Sequence, residues 1–345
     1  MLKPIITDEE CLQLKALINE SDTILLTCHQ NPDGDALGAC LAWAEVLKTV
    51  FGKEAQIIVP DQSPDFLQWM PNTEKVIRYD KHREGCNWTL NHCDLIFCLD
   101  FNTPSRTADM EQALRLSPAR KVLIDHHLAP DIDTVIAISH PEASSTCELI
   151  FRVVWQMGCF DQLSKHFAAP LYCGMMTDTG AFTYNSSDPA IFFIISQLLT
   201  KRINKDKIYR NVYHTFSENR LRLTGFVMYE RLVVDARRHA SYFTLSRDDL
   251  RRFHFVKGDA EGLVNMPLQM KGHKLSVSLR EDTERDRLVW VSLRSVDQFP
   301  CNEMAERFFN GGGHLNASGG RLYCTIDEAV EVVKQAFAAY EQQLL

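Results

Sequence analysis

The sequence has no run of about 18 consecutive apolar residues, the length that a membrane-spanning helix needs. Residues Met1–Glu10 do not show the charged and then apolar pattern of a secretory signal. None of the eleven cysteines lies in a CxxC pair, which argues against a structural zinc site. No repeat recurs at the periods of solenoid proteins. We therefore expect a cytoplasmic globular protein without a membrane partner, in which most cysteines are small core residues.

The chain also lacks the excess of positive charge that binding to long duplex nucleic acid requires. Its 345 residues carry a formal net charge of −8. Residues 238–345 contain 14 Lys or Arg and 15 Asp or Glu, so nearly all of the acidic excess lies in residues 1–237. Long duplex DNA or RNA is therefore not an expected partner. A small anionic substrate is compatible with this charge if metal ions and a few arginines neutralise it locally.

The segment His29–Asp35 brings one imidazole and the carboxylates of Asp33 and Asp35 into seven residues. It follows the apolar run Ile24–Cys28, which predicts a buried strand. Its Asn-Pro and Asp-Gly pairs predict a tight turn, and the apolar residues that follow recur at helical spacing. So much acid at the carboxyl end of a strand is stabilised when a divalent cation lies within it. The alternative is an acidic turn in which Asp35 only caps the next helix.

Two further apolar runs end in metal-type ligands. Asp94–Asp100 predicts a strand that ends in an acid. Lys121–Asp125 predicts another, and His126 and His127 follow it immediately. Because parallel strands separated by helices bring their carboxyl ends to one edge of a sheet, we expect these residues to converge with His29.

Two later segments carry weaker indications. Asp178 lies where a helix is expected to stop at Gly180, and such an acid is by itself more typical of a helix end than of a site. The segment 311–320 contains five glycines. Its backbone N–H groups can form an anion-binding nest, and the alternative is a long flexible turn.

Taken together, these motifs resemble the DHH phosphoesterase superfamily. The signature Asp125-His126-His127 gives that family its name. Here it follows His29-x3-Asp33-x-Asp35 and the strand-terminal Asp100, and it precedes Thr177–Gly180, in the family's order and approximate spacing. The glycine-rich segment 311–320 is similar to the associated C-terminal substrate domain. The two-domain length resembles the branch that includes oligoribonucleases (nano-RNases) and 3′-phosphoadenosine 5′-phosphate phosphatases.

The resemblance implies an α/β fold with two domains. An N-terminal parallel-sheet DHH domain, with helices on both faces, would be joined to a smaller C-terminal α+β substrate-binding domain across a cleft. The sequence pattern changes from helices to strands and turns between residues 215 and 240. We therefore predict the catalytic domain over residues 1–215, a helical linker over 216–240 and the substrate-binding domain over 241–345.

The resemblance also assigns roles to the acidic and histidine residues. His29 and Asp33 would hold one metal ion, and Asp35, His126 and Asp178 would hold the other. Asp100 would bridge the two ions. His127 would face the scissile phosphate, and Asp125 would orient the histidine pair. A carboxylate and imidazole set without thiolates suits Mn²⁺, with Co²⁺, Fe²⁺ or Mg²⁺ as substitutes.

A third set of residues would bind the substrate's phosphate. In the second domain these are Arg294, Gly311, Gly312, Gly313 and His314, with Asn316 as a weaker candidate. Arg106, which follows Asp100 closely, either contacts phosphate or ties down its own loop. Many members of the family carry a basic residue shortly after the Thr-Asp-Thr-Gly segment, whereas this chain has Thr183 there. This departure leaves the choice of substrate open.

The leading hypothesis is an Mn²⁺-dependent phosphoesterase for short single-stranded oligonucleotides and 3′-phosphoadenosine 5′-phosphate. The first alternative is a phosphodiesterase for cyclic or linear dinucleotides. A pyrophosphatase or exopolyphosphatase would share the metal ligands but should have a strongly basic second domain. A non-catalytic nucleotide-binding module should have lost a ligand, and none is missing. The sequence leaves open the direction of attack, the base preference and whether the protein is a homodimer.

Overall fold

The computed structural model describes residues 2–256 and 258–345, which form two compact units that divide between Thr215 and Phe216. The first unit is built on a six-stranded sheet in which all neighbouring strands are parallel. Its strands are β1 (Ile24–Thr27), β2 (Ala55–Val59), β3 (Ile77–Arg78), β4 (Leu95–Leu99), β5 (Arg120–Asp125) and β6 (Ile136–Ser139). Their order in space is β3-β2-β1-β4-β5-β6, so the order reverses between β1 and β4. Open α/β sheets bind their ligands at such a reversal, beyond the carboxyl ends of the strands.

Helices cover both faces of this sheet. They are α1 (Asp8–Glu20), α2 (Gly34–Phe51), α3 (Arg83–His92), α4 (Glu111–Leu116), α5 (Thr146–Gln156), α6 (Lys165–Asp178), α7 (Pro189–Thr200) and α8 (Lys205–Tyr213). Successive strand residues point to opposite faces. Leu26 and Phe97 pack with α1, α2, α5 and α6, whereas Leu25 and Ile96 pack with α3 and α4. The predicted parallel-sheet domain with helices on both faces is therefore confirmed.

Local chemistry sets several helix ends. The Thr7 hydroxyl accepts a hydrogen bond from the backbone N–H of Glu10, whose carboxylate accepts one from the backbone N–H of Thr7, so the two residues cap α1. The carboxylate of Asp188 caps α7, whose first residue is proline. Helix α6 ends at Asp178, and Gly180 takes a positive φ of 53° just beyond it. The stop of α6 thus places Asp178 at the exit of a helix.

The second unit contains a mixed six-stranded sheet with the order β11-β12-β10-β9-β8-β7. Its strands are β7 (Leu232–Asp235), β8 (Ala240–Leu245), β9 (Leu275–Glu281), β10 (Val289–Ser295), β11 (Gly312–His314) and β12 (Ala317–Leu322). Its helices are α9 (Glu218–Phe226), α10 (Arg247–Arg252), α11 (Cys301–Phe308), α12 (Ile326–Ala339) and α13 (Glu341–Leu344). Helices α11 and α12 share one core with β9 and β10, and α9 and α10 share a second core with β8. The predicted α+β character of this part is confirmed.

Residues 216–240, predicted as a helical linker, contain a strand as well as helix. Helix α9 is followed by a π-helical turn, Val227–Arg231, and then by β7. Strand β7 pairs with β8, with Leu232 opposite Phe243. A short strand of this kind depends on its partner in the sheet, so its local sequence alone does not identify it.

All eleven cysteines are free, and nine of them are buried, as expected for small core residues. Within residues 2–256 and 258–345, no helix combines the length and the apolar character needed to cross a membrane.

Candidate metal centre

The predicted metal ligands of the first unit meet at the carboxyl edge of its sheet. Strands β1, β4 and β5 are neighbours, and the chain leaves them towards His29, Asp100 and His126 respectively. Two groups of ligand atoms lie within 4.8 Å of one another: His29 with Asp33 and Asp100, and Asp35 with Asp100 and His126. Asp178 joins the second group, because its Oδ2 is 3.3 Å from Nε2 of His126. All six predicted ligands therefore lie in one place.

Asp100 belongs to both groups. Its Oδ2 lies 3.3 Å from Nε2 of His29, and its Oδ1 lies 3.4 Å from Nε2 of His126. The residue is 2% exposed and has a left-handed backbone, with φ of 65°. Burial alone would raise the pKa of Asp100, but hydrogen bonds from the two imidazoles outweigh it and hold that pKa well below its usual range. The Asp100 carboxylate is therefore the shared element of the site.

Asp33 caps helix α2 and also belongs to the ligand group of His29. Its Oδ1 accepts hydrogen bonds of 3.0 Å from the backbone N–H groups of Asp35 and Ala36, so it caps α2. Its Oδ2 lies 3.7 Å from Nε2 of His29. The alternative in which Asp35 caps this helix is thus wrong, because Asp35 lies inside the first turn.

The Asp35 side chain is completely buried and does not cap α2. Its Oδ2 accepts a hydrogen bond from the backbone N–H of Thr146 (2.7 Å), and its Oδ1 accepts one from that of Cys147 (2.9 Å). Burial, reinforced by the charge of Asp100, raises the pKa of Asp35 to about 8. Burial and the charge of Asp35 likewise raise the pKa of Asp178 well above its usual range. Crowded carboxylates of this kind are stabilised by cations placed among them.

Backbone carbonyls orient the two metal-type histidines. Nδ1 of His29 lies 2.7 Å from the carbonyl oxygen of Gln30, and Nδ1 of His126 lies 3.2 Å from that of Ala143. A carbonyl oxygen only accepts, so Nδ1 carries a hydrogen, and Nε2 faces the carboxylates, to which its own N–H donates while the ring is protonated. Burial would lower the pKa of His126, but its carboxylate neighbours raise it well above the usual value. Each imidazole is thus a counter-ion here, and a metal cation can replace its proton.

Asp125 and His127 form a pair beside this cluster. Oδ1 of Asp125 lies 2.7 Å from Nδ1 of His127, which is 8% exposed. The other oxygen of Asp125 is buried and has no hydrogen-bond partner within the described part of the chain. Burial lowers the pKa of His127 more than its carboxylate neighbours raise it. The Asp125 carboxylate therefore fixes the orientation of the His127 ring, whereas the carbonyl oxygen of Ala143, and not Asp125, holds the other member of the histidine pair.

Arg106 lies close enough to act on this cluster. The pKa of His29 is raised because its carboxylate neighbours outweigh burial, and the positive charge of Arg106 opposes that rise; burial lowers the pKa of His127, and the charge of Arg106 acts in the same direction. Its carbonyl oxygen also accepts a hydrogen bond of 2.7 Å from the backbone N–H of Gln30, so the loop is tied to the chain around His29. The backbone of Arg106 thus ties down the loop, and contact of its guanidinium with phosphate stays a prediction.

No motif in the sequence indicates that the start of α5 belongs to the site. Besides its backbone contact with Asp35, Thr146 donates a hydrogen bond of 3.0 Å from its hydroxyl to Oδ1 of Asp100. The preceding residue, Ser145, caps the helix, since its hydroxyl accepts a hydrogen bond of 3.0 Å from the backbone N–H of Glu148. The position of this helix start after β6, at the same sheet edge as the other ligands, is the feature that identifies it.

In the second unit, the glycine-rich segment is a hairpin and not a loop or flexible turn. Strand β11 pairs with β12, and only Leu315 and Asn316 lie between them. A Cβ on Gly311 would lie 1.8 Å from the carbonyl oxygen of Gly319, so no larger residue fits. The glycines therefore allow two backbones to pack closely. A high glycine content alone does not distinguish such a packed hairpin from a flexible turn.

The predicted phosphate-binding residues of this unit lie on or beside that hairpin. The half-buried His314 ends β11, and its carbonyl accepts a hydrogen bond of 2.8 Å from the Ser318 hydroxyl. Arg294 lies on β10, opposite Ala317. The amide nitrogen of Asn316 donates to the Ser295 hydroxyl at 2.8 Å. Asn316 thus has a structural role in the turn, and its contact with substrate stays a prediction.

Each of the two units matches a known domain family. The model of the DHH family, N-terminal domain, matches residues 23–175, and that of the DHHA1 domain matches residues 250–339. A protein of Streptococcus mutans named a probable bifunctional oligoribonuclease and PAP phosphatase NrnA is 29% identical over 310 residues, which is 89% of this chain and 92% of that protein. The cyclic-di-AMP phosphodiesterase PdeA of Listeria monocytogenes is 26% identical over 95% of this chain, which spans 49% of that protein.

A solved structure matches the whole chain. It is that of an exopolyphosphatase-related protein from Bacteroides fragilis, which is 45% identical, with a TM-score of 0.93 and 99% of each chain covered. The two domain matches occur in the same order as the two compact units, and the Asp125-His126-His127 signature lies in the metal-type cluster of the first. The chain therefore belongs to the DHH family, with a DHHA1 domain in its second unit.

Proposed function

We propose that this protein is a metal-dependent phosphoesterase that hydrolyses short oligonucleotides, 3′-phosphoadenosine 5′-phosphate or both. The observation that carries the proposal is the position of Asp100, whose two oxygens lie within 3.4 Å of imidazoles in two separate ligand groups. One buried carboxylate shared by two groups is the arrangement that a dinuclear metal site needs. Relatives named as an oligoribonuclease and PAP phosphatase and as a phosphodiesterase support this class of reaction.

The donor set fits two divalent cations. His29 and Asp33 would hold one ion, Asp35, His126 and Asp178 would hold the other, and Asp100 would bridge them. Carboxylate and imidazole donors without thiolates suit Mn²⁺, with Co²⁺, Fe²⁺ or Mg²⁺ as substitutes. Two such ions, when bound, would lower the pKa of the attacking water and neutralise charge on the phosphate oxygens.

The chain's own residues would perform the remaining steps. His127 would face the scissile phosphate, and the carboxylate of Asp125, 2.7 Å from its Nδ1, would stabilise the protonated ring. In that form Nε2 can donate a hydrogen bond or a proton to the leaving oxygen. Arg106 would add a positive charge beside the phosphate. In the second unit, Arg294 and the hairpin that ends in His314 would bind the substrate at a second point.

Two other substrates have specific support. The similarity to a cyclic-di-AMP phosphodiesterase over 95% of this chain favours cyclic or linear dinucleotides as the second candidate class. The 45% identical structure of a protein named exopolyphosphatase-related adds inorganic polyphosphate. A non-catalytic module is the least favoured reading, because all six predicted ligands come together.

A substrate panel tests the proposal. The full chain, freed of metal and reloaded with Mn²⁺, would be offered a 5′-labelled trinucleotide, 3′-phosphoadenosine 5′-phosphate, linear and cyclic dinucleotides, and tripolyphosphate. We expect turnover of the trinucleotide, of 3′-phosphoadenosine 5′-phosphate or of both. Hydrolysis of tripolyphosphate alone, or of cyclic dinucleotides alone, would mean that the proposed substrate is wrong and that the metal-dependent hydrolysis is right. No turnover of any of them would contradict the proposal.

A further inference from the structure

One face of the second unit's sheet carries a row of polar and cationic side chains. On β10, Val289, Val291 and Leu293 are buried in the core with α11 and α12. The alternate residues Trp290, Ser292 and Arg294 therefore point to the opposite face, and all three are only partly buried. This face lies outside the core that α11 and α12 form; its β8 end is covered by the second core, in which Phe243 and Leu245 are buried, and the row lies on the part formed by β9, β10 and β12.

The strand register places an arginine on each side of Trp290. Arg280 on β9 is opposite Trp290, and so is Arg321 on β12. The indole Nε1–H donates a hydrogen bond of 2.7 Å to Oδ2 of Asp282, which fixes the ring in place. A fixed, partly exposed indole between two cations is a surface on which a nucleic-acid base can stack.

Arg280 is a partly buried cation with no anionic partner among the residues that the structure describes. It forms no hydrogen bond or ion pair with any residue in 2–256 or 258–345, and its guanidinium lies 5.4 Å from the centre of the Phe255 ring. Burial lowers the pKa of Arg280, and the charge of Asp282 opposes that change. The oxygens of Asp282 are already engaged, Oδ2 by Trp290 and Oδ1 by the backbone N–H groups of Glu284 and Arg285. An anionic oxygen from outside the chain would supply the missing partner.

The distance between the two ends of this row, measured along β10, indicates the length of the ligand that fits. Trp290, and with it Arg280, is four residues from Arg294 in the register of β10, which is about 13 to 14 Å along the strand. Between these ends the part of the face on β9, β10 and β12 carries only small groups, because Ser292 is flanked by Ser278 and Gly319. Phosphates attached to one ribose are separated by a single sugar, which is shorter than this span. Phosphates two steps apart on an extended single strand are better matched to it.

We propose that the strip from Arg294 to Arg280 binds a single-stranded oligonucleotide at two phosphates and one base. Arg294 contacts one phosphate, Trp290 stacks on a base, and Arg280 contacts a phosphate further along the strand. This inference rests on the proposed function and names its substrate class. An oligonucleotide of three or more nucleotides uses the whole strip, whereas 3′-phosphoadenosine 5′-phosphate reaches only one end of it.

The test is a comparison of substrates in Arg280→Gln and Trp290→Leu variants of the full chain. Each variant is expected to lower kcat/KM for a 5′-phosphorylated trinucleotide about tenfold more than kcat/KM for 3′-phosphoadenosine 5′-phosphate. Arg280→Lys should fall between wild type and Arg280→Gln, because it keeps the charge and loses the planar fork. The matched control is Arg287→Gln, in the turn between β9 and β10, where the arginine pairs with Glu328 at 3.0 Å. That control should change both substrates by the same small factor.

A binding measurement separates failure of this inference from failure of the proposed function. Fluorescence anisotropy of a labelled trinucleotide, with the protein in chelator so that nothing is cleaved, should show a Kd about tenfold weaker for Arg280→Gln than for wild type. Circular dichroism confirms that the variant is folded. An unchanged Kd overturns the strip, even if the wild-type enzyme hydrolyses oligonucleotides. A weaker Kd supports the strip, even if the substrate panel shows no oligonucleotide cleavage.

Discussion

Gly174 on α6 lies directly against Asp35 on α2. A Cβ added at Gly174 would lie 2.9 Å from Oδ1 of Asp35 and 2.3 Å from the sulfur of Cys147. The same carboxylate accepts backbone hydrogen bonds from Thr146 and Cys147 at the start of α5. Three helices therefore meet at one buried acid, and the position of that acid depends on the absence of a side chain at Gly174.

Gly174→Ala should damage the site although it removes no ligand. The added methyl group must displace Asp35 or Cys147, because the backbone of both helices is closely packed. We expect turnover to fall at least about tenfold and the free energy of unfolding to fall by about 1–3 kcal/mol, the usual cost of overpacking. Mn²⁺-dependent turnover and urea unfolding measure the two effects.

Gly85→Ala is the matched control for this substitution. Gly85 also lies in a helix, α3, and a Cβ added there meets no described atom within 4 Å. Since alanine is the better helix former, this variant should be as stable as wild type or slightly more so. If Gly174→Ala behaved like this control in both measurements, the packing argument for Asp35 would be wrong.

Asp100→Ala should abolish turnover and reduce the metal content below two ions per chain. The shared carboxylate is the oxygen donor that would keep two mutually repelling cations together. Elemental analysis of the reloaded protein and an activity assay give the two readings, and circular dichroism checks the fold. Asp109→Ala is the control, since Asp109 is an exposed acid paired with Arg83. A fully active Asp100→Ala protein with two bound ions contradicts the assignment.

The convergence of five of the six ligands follows from the sequence because they lie at strand ends or directly after β1, whereas Asp178 lies at the end of α6. His29, Asp100 and His126 follow apolar runs whose parallel pairing is dictated by the helices between them. The contribution of Thr146 is different in kind, since its hydroxyl reaches Asp100 across 46 positions of the chain. A pattern of local capping gives no sign of such a contact, which exists only after the sheet has formed.

The capping of α2 and the glycine-rich hairpin are two further features that the local sequence does not predict. The sequence His29–Asp35 contains two acids, and either can cap a helix; the first turn places Asp33 at the cap and turns Asp35 inwards. Glycines at 311–320 indicate either freedom or close packing, and only the pairing of β11 with β12 decides between them. Both outcomes depend on contacts between segments that are distant in sequence or on the exact start of an element.

Removal of metal should eliminate activity, and Mn²⁺ should restore it better than Ca²⁺. The ligand groups contain the imidazoles of His29 and His126, whereas Ca²⁺ prefers a larger shell of oxygens. The metal-free protein should also unfold at a lower temperature, because its crowded carboxylates lose their counter-cations. Activity and thermal unfolding after chelation, dialysis and re-addition of each ion test this. Undiminished hydrolysis after exhaustive chelation would falsify the two-metal mechanism.

Asp94→Asn should destabilise the protein in a pH-dependent way. Oδ2 of Asp94 accepts hydrogen bonds from the backbone N–H groups of Asp22 and Thr23 (3.0 and 2.8 Å) and from the Thr23 hydroxyl (2.8 Å). The bonds from Thr23 are the main reason why the pKa of Asp94 is lowered on folding. Its stabilising contribution is therefore full above the unfolded pKa of about 3.9 and is lost as pH falls through the lower folded value.

The urea midpoints of wild type and Asp94→Asn should thus differ by a constant amount from pH 7 to pH 5. The difference should narrow below about pH 4, where the wild-type carboxyl becomes protonated. Asp109→Asn serves as the control, since that exposed acid accepts no backbone hydrogen bond among the described residues. A difference that stays the same at every pH would mean that the charge of Asp94 is not what these bonds stabilise.

The last prediction separates chemistry from substrate binding by two histidines in different units. His127 is held by Asp125 beside the metal-type cluster, so it should act on charge that develops in the transition state. His127→Ala should therefore lower kcat about 10²–10⁴-fold, the usual range for a general acid or base. His314 ends strand β11 in the second unit, with no carboxylate ligand on its own hairpin. His314→Ala should mainly raise KM for short oligonucleotides.

A small generic phosphomonoester serves as the control substrate, because it has no group that the second unit could bind. Its hydrolysis should therefore be slowed by His127→Ala far more than by His314→Ala. Equal losses by both variants on both substrates would mean that His314 takes part in the chemical step, and the division of roles between the two units would then be wrong.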